Sequence, residues 1–204
     1  MDEGGCFRLV MLENISKYKI ILASNSPRRK ELLSGLDLNY EVKALPDVDE
    51  SYPDRLWKEE IPVHIAKLKA DAYKEFLGED TLLITADTIV WLNGRVYGKP
   101  NDEEDAKEML RILSGNTHEV ITGVCITSQE KQKAFYAISL VKFASLDEEE
   151  INYYVEKYKP YDKAGAYGVQ EWIGYIGVES LTGSFYNVMG LPVRMLYKYL
   201  KEWN

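Results

Sequence analysis

An α/β or α+β fold, with helices packed on a mixed sheet, is the class this sequence predicts. Three observations carry the reading. Apolar runs of strand length, Lys19–Leu22 and Thr81–Ala86, alternate with amphipathic stretches of helix length. A strand-to-helix turn stands near the front of the chain. Two long β-rich segments, His118–Thr127 and Lys133–Ala144, follow each other across the polar turn Ser128–Glu130 as an antiparallel pair. With 204 residues, 46% hydrophobic and 28% charged, the chain can bury a substantial core and reads as one globular domain at 19–204 with room for two lobes. Residues 1–18 read as an N-terminal extension, disordered in part, within which Met11 offers a second start. The apolar patch Phe7–Leu12 follows two acids and leads to no small-residue cleavage site, so it does not read as a signal peptide.

In chain order, Lys19–Leu22 is a buried strand, Ser26 is a good N-cap, Pro27 suits the first helical position, and Leu32 and Leu33 share one side of a helix that can end at Gly35. Asn39–Leu45 reads as a second strand and Pro46–Glu50 as an acidic loop. Pro62 opens a helix with Ile65, Leu68, Ala72 and Phe76 inward as far as Gly78, and Lys67 and Lys69 lie on it. The central strand Thr81–Ala86 delivers Asp87 and Thr88 at its C-terminal end, where ligands gather in α/β sheets. Asn93-Gly94 between Ile89–Leu92 and Val96-Tyr97 is a two-residue hairpin signal leading into Gly98-Lys99-Pro100. Asn101 or Asp102 caps a helix that buries Ala106, Met109, Leu110 and Leu113, with Gly115 beyond its end. Ser145 with Glu148 reads as a capping box for a helix carrying Ile151, Tyr154, Val155 and Tyr158. Tyr161–Gln170 is a glycine-rich loop, too poor in large side chains to pack a core and polar enough to line a site. A strand around Ile176–Glu179, a turn at Thr182–Ser184 and a helix opened by Pro192 complete the chain.

The formal net charge of -8 excludes a general nucleic-acid or membrane-surface binder, which needs a broad basic face. No segment has transmembrane length. Cys6 and Cys125 fit neither a disulfide framework nor a zinc spacing, and the simplest reading is a reducing cytoplasm.

The chemistry-bearing residues recur at strand ends and loop edges. The free amides and positive dipole end of the first helix face the same space as the Ser24 and Ser26 hydroxyls and the guanidinium groups of Arg28 and Arg29. That is either a phosphate cradle or an ordinary turn with two solvated arginines. Glu50 follows the second strand, Asp87 the third, Lys99 the hairpin, and Lys69 projects from the helix between them. A phosphoanhydride needs its charge neutralised, a metal held on its oxygens and a water oriented in line with the leaving group. Glu50 and Asp87 are hard oxygen ligands suited to Mg²⁺ or Mn²⁺, either can take a proton from the water, and lysines and arginines supply counter-charge. Each also has a bland alternative as a cap, a loop charge or a surface lysine. His64 and His118 lack any metal or nucleophile spacing. Tyr167, Trp172 and Phe185 could stack on a base, although packing is the default role of an aromatic.

These residues fall in ordered blocks: Ser24-Asn25-Ser26-Pro27-Arg28-Arg29, Ala86-Asp87-Thr88, Gly98-Lys99-Pro100, Leu113-Ser114-Gly115, Asp162–Gly168 and Val188-Met189-Gly190-Leu191-Pro192. Together they resemble the Maf family of nucleoside triphosphate pyrophosphatases. The resemblance implies an inosine-triphosphatase-like α/β fold, a long curved mixed sheet flanked by helices, two lobes with a central cleft, and a homodimer. It also implies metal-dependent cleavage of a nucleoside triphosphate to the monophosphate and pyrophosphate. By position, Asp87 resembles the family's proton acceptor, and Glu50, Lys69 and Lys99 its other active-site groups. Ser24, Ser26, Arg28, Arg29, Thr88, Lys163 and Gln170 fall where substrate is bound. Arg28, Thr88 and Gln170 in combination are similar to the dTTP/UTP branch, and a glutamine amide can serve the O4/N3 edge of thymine or uracil. Asp49 is the neighbouring carboxylate that a one-residue shift in the acidic loop would substitute for Glu50. Rival readings are a housecleaning hydrolase of modified nucleotides and a non-catalytic, nucleotide-binding regulator of septum formation.

Overall fold

The computed structural model describes residues 10–43 and 48–204. Among the described residues seven strands form one mixed sheet: β1 (Lys19–Leu22), β2 (Tyr40–Val42), β3 (Thr81–Leu92), β4 (Arg95–Tyr97), β5 (Thr117–Thr127), β6 (Gln132–Phe143) and β7 (Val178–Thr182). The strand order is β2-β1-β3-β5-β6-β7, with β4 also paired to β3. β1 runs parallel to β2 and β3, and the pairs from β3 to β7 are antiparallel. The helices are α1 (Pro27–Ser34), α2 (Glu60–Asp71), α3 (Glu103–Leu113), α4 (Glu148–Tyr158), α5 (Trp172–Gly177), α6 (Phe185–Val188) and α7 (Val193–Lys201). None of the described helices is long and apolar enough to cross a membrane.

The sheet buries both faces, and the two-residue period of β3 assigns its side chains between them. Leu82, Ile84, Ala86, Val90 and Leu92 enter the main core with residues of α1, α3, α4 and α7. Leu83, Ile89 and Trp91 enter the smaller clusters with Ile61, Ile65, Ala66 and Ala70 of α2. By the same alternation Asp87 falls on the α2 side and Thr88 on the main-core side. β5 repeats the pattern: Gly123 lies opposite Asp87 in register and on the α2 side. A Cβ at Gly123 would stand 2.4 Å from the Pro62 carbonyl and the Val63 nitrogen, so this glycine is what lets α2 lie directly on the sheet. The Thr85 hydroxyl, which donates to the Ala66 carbonyl at 2.7 Å, pins the helix there.

Several expectations are corrected. Asp87 and Thr88 do not end a strand: β3 continues through them because β5 pairs with it from Leu83 to Trp91. The helix expected to run to Gly78 stops at Asp71. A short 3-10 turn at Lys74–Phe76 follows, so Tyr73 is buried and Phe76 is exposed. The capping box of α4 is Asp147 with Glu150, Asp serving the N-cap as well as Ser would. Of the strand expected at Ile176–Glu179, the first two residues close α5 and the last two open β7, since a short apolar run is compatible with either period. β7 begins only at Val178. The glycine-rich loop packs after all: Ala166, Tyr167 and Val169 join the main core. At the N-terminus, Leu12 and Ile15 are buried in that core, and the Asn14 amide donates to the Leu200 and Trp203 carbonyls beside the end of α7. Over its described residues the expected extension is therefore part of the packed unit. The second strand is only Tyr40–Val42, and Ala44–Asp47 of the expected strand and acidic loop lie outside the described residues, as does Cys6.

Gly123→Ala must push α2 off the sheet. Overpacking of this kind costs about 3 kcal/mol, and urea unfolding of the variant beside the wild type is expected to read a loss of that order.

Candidate active site

Strand β3 is bare along part of one edge. β1 pairs with it only from Thr81 to Ile84 and β4 only from Val90 to Leu92, so Thr85–Ile89 lack a strand neighbour on that side. Into this gap open the turn from β1 to α1, the Gly98-Lys99 segment after β4 and the loop from Asp162 to Gln170, which bound a cleft of about 730 Å³. Ser24, Ser26, Arg28, Arg29, Glu50, Lys69, Asp87, Thr88, Lys99, Lys163 and Gln170 all line it.

At one end lies the start of α1. Ser26 caps it, its hydroxyl accepting from the Arg29 amide at 3.4 Å, and the Ser26 amide donates to the Ser24 hydroxyl at 3.2 Å. Each hydroxyl gives a lone pair to the backbone and keeps its own O–H to donate. The two arginines are held differently. Arg29 is sequestered, with Nε donating to the Gly190 carbonyl at 2.8 Å and Nη2 to the Thr88 hydroxyl at 3.0 Å. Burial pulls its pKa down, the charge of Asp87 opposes that, and Arg28 adds to the lowering. An anion in the cleft would favour the charged form of this half-buried guanidinium. Thr88 in turn meets the Thr122 hydroxyl at 3.0 Å. Arg28 reaches across the cleft to Asp162 at 2.8 Å.

In the middle, Lys69 of α2 joins two carboxylates that come from separate segments. Its Nζ lies 2.8 Å from Asp87 Oδ1 and 3.0 Å from Glu50 Oε1. Asp49, the neighbouring carboxylate, instead accepts from the Ser51 amide at 2.9 Å in a local turn and is not part of the cleft lining. Glu50 is thus the acid that the fold brings to Asp87. Lys99 is exposed on the rim and makes no ion pair among the described residues. No three His, Cys, Asp or Glu side chains among the described residues converge as a metal cage.

At the other end, the Gln170 Oε1 is buried and has no donor among the described residues. Lys163 is buried between Asp162 at 2.8 Å and Glu171 at 3.1 Å. Burial works against the Asp162 carboxylate, yet hydrogen bonds from Lys163 and Arg28 outweigh it and hold its pKa below the ordinary value. Of the aromatics expected to stack on a base, only Tyr167 reaches the cleft, and its ring is committed to packing against His118 and Phe143. Trp172 packs on Tyr153 and Phe185 lies half-exposed beside Tyr186, neither in the lining. Asp162, Glu171 and the Gly190 carbonyl carry structural parts that the sequence reading did not assign. Only the adjacency of Asp162 and Lys163 in a polar, glycine-rich loop hinted at an ion pair there.

The fold and cleft define an α/β protein built to hold a polyanion beside a lysine-bridged pair of carboxylates. Comparison with known proteins narrows this class. A family model described as Maf-like protein matches residues 19–203, and the chain belongs to that family. It is 65% identical over 192 residues to a protein of Bacteroides thetaiotaomicron and 63% identical over 192 residues to one of Bacteroides fragilis, covering 94% of this chain and 100% of each relative. It is 48% identical over 191 residues to a Flavobacterium johnsoniae protein, covering 94% of this chain and 98% of that one. All three are named dTTP/UTP pyrophosphatase. Among solved structures, the Ham1 protein of Staphylococcus aureus matches with a TM-score of 0.51 at 19% identity, over 91% of this chain and 100% of that one. A HAM1 protein of Coxiella burnetii matches with a TM-score of 0.51 at 15% identity, over 91% and 99%. The likeness establishes a shared α/β fold with a mixed sheet and flanking helices.

His118 supports the cleft from behind, its Nε2 lying 2.7 Å from the Tyr167 hydroxyl, and burial pushes its pKa down to about 4. Between that value and the ordinary histidine value near 6.5, the unfolded chain takes up a proton that the folded chain refuses. Stability is therefore lost as pH falls through this window, by about 3 kcal/mol in all. Urea unfolding from pH 7 to pH 4 is expected to read this loss in the wild type and to read it reduced by that amount in His118→Gln.

Proposed function

We propose that this chain is a nucleoside triphosphate pyrophosphatase that hydrolyses dTTP and UTP to the monophosphate and pyrophosphate. The observation that carries the reading is the convergence, in one cleft, of the anion-binding start of α1, the Glu50–Lys69–Asp87 cluster and the partnerless amide oxygen of Gln170. The names of the Bacteroides relatives point the same way. In this reading the Ser24 and Ser26 hydroxyls, Arg28, Arg29, Lys99 and Lys163 neutralise and orient the triphosphate. A water attacks the α-phosphorus, its proton passes to the Asp87 carboxylate, and the bond to the bridging oxygen of the β-phosphate breaks as pyrophosphate leaves. Lys69 occupies Oδ1 of Asp87 and leaves the second oxygen to accept that proton.

The donor set suits a divalent cation, Mg²⁺ or Mn²⁺. Such ions are commonly held by one or two carboxylates together with substrate phosphates, and Glu50 and Asp87 are two hard oxygen donors gathered at one lysine. When bound, the ion would supply charge neutralisation on the phosphate oxygens. At the base, Gln170 Oε1 would accept from N3–H of thymine or uracil while its NH₂ donates to O4; the buried oxygen lacks a partner until such a donor arrives. A cytoplasmic homodimer with a curved sheet and two lobes completes the reading, with no nucleic acid or membrane as partner.

Pyrophosphate release from a panel of canonical and modified triphosphates with Mg²⁺ or Mn²⁺ tests it. dTTP and UTP are expected to turn over fastest. Asp87→Asn is expected to lower kcat on the order of 10² to 10⁴-fold with KM near the wild-type value. Fastest turnover of a modified nucleotide would favour housecleaning, and binding without turnover of any nucleotide would favour a regulator.

A further inference from the structure

A chain of ion pairs and hydrogen bonds runs from the phosphate end of the cleft to the base end. Arg28 binds Asp162 Oδ2 at 2.8 Å, Asp162 Oδ1 binds Lys163 at 2.8 Å, and Lys163 binds Glu171 Oε1 at 3.1 Å. Glu171 Oε2 accepts from the Tyr154 hydroxyl at 2.5 Å, and that hydroxyl accepts from the Gly168 amide at 3.0 Å. Tyr154 is fully buried on α4. The packing around Glu171 is close: a Cβ at Gly168 would stand 2.8 Å from the Glu171 carboxyl carbon and 3.1 Å from Lys163 Cε. The Glu171 amide also donates back to the Gly168 carbonyl at 2.9 Å. The turn containing Gln170 is thus fastened on both sides, by Gly168 before it and Glu171 after it, to one buried hydroxyl. The Gln170 amide oxygen is not tied in this way, having no donor among the described residues.

We propose that Glu171 is a positioning residue for base selectivity: its carboxylate, held between the Tyr154 hydroxyl and the Lys163 ammonium, fixes the turn from which Gln170 meets the base. The proposal rests on the assignment of Gln170 to the base made above. A base-reading amide discriminates only if its donor and acceptor are held in place, because an amide free to swing satisfies other bases nearly as well. Glu171 touches neither the phosphates nor the reacting bond in this arrangement, so its loss falls on binding and selectivity rather than on chemistry.

The test is steady-state kinetics of Glu171→Ala, Glu171→Gln, Tyr154→Phe and Gln170→Ala on dTTP, UTP, CTP and GTP. Glu171→Ala is expected to raise KM for dTTP and UTP about tenfold, with kcat within about twofold, and to shrink their kcat/KM advantage over CTP and GTP by about the same factor. Glu171→Gln, which can still accept from Tyr154, is expected to recover most of that advantage, and Tyr154→Phe to lose about threefold of it. Wild-type selectivity in both Glu171→Ala and Tyr154→Phe, with only Tm lowered, would reduce Glu171 to a structural residue and overturn the proposal. If Gln170→Ala alone abolishes selectivity, the base assignment stands and only this proposal fails. If Gln170→Ala leaves selectivity unchanged, the base assignment fails, and the proposal with it.

Discussion

The seating of α2 on the sheet is the constraint from which the site follows. Gly123 removes the side chain that would hold the helix away, and the Thr85 hydroxyl ties it down at Ala66. Only in that position does Lys69 come within 2.8 Å of Asp87 and 3.0 Å of Glu50. Two carboxylates from separate segments repel one another in a partly buried cleft, and a cation between them is what makes their approach affordable. The lysine therefore assembles the acid pair before any ligand arrives.

A second feature gives this cluster something to act on. A strand paired along its whole length would cover Asp87 from both sides. Because β1 pairs with β3 only as far as Ile84 and β4 only from Val90, the middle of β3 faces open space. The gap is filled by a helix start on one side and a polar loop on the other. Positive charge is thereby concentrated locally on a chain whose formal net charge is -8. Arg29 illustrates the design: half-buried, it is held by Gly190 and Thr88, which fixes its orientation and leaves its charge to be matched by an incoming anion.

Much of this was legible in the residues. Ser26 and Pro27 mark the start of α1, Asn93-Gly94 the hairpin, and the pair Asn101 and Asp102 the start of α3, where Asp102 is the cap, since caps and turns are set by local chemistry. The residues named for the site also share one cleft. Long-range partners decided what was misread. Asp87 looked like the end of a strand because polar residues interrupt an apolar run, and only the unbroken pairing with β5 carries β3 past it. Ile176–Glu179 is short, and nothing local makes Ile176 and Gly177 the end of α5 and Val178 the start of β7. The Asp162–Lys163–Glu171–Tyr154 chain joins a helix to a loop through tertiary contact, which no spacing in the sequence encodes.

The most direct measurement is a crystal structure with a dTTP analogue whose α–β bridging oxygen is replaced by a methylene group. The phosphates are expected between the start of α1 and the Lys69-bridged carboxylates, with the α-phosphorus facing Asp87 and the thymine edge on Gln170. Phosphates seated away from Arg28 and Arg29, or a nucleotide bound outside the gap beside β3, would contradict this placement.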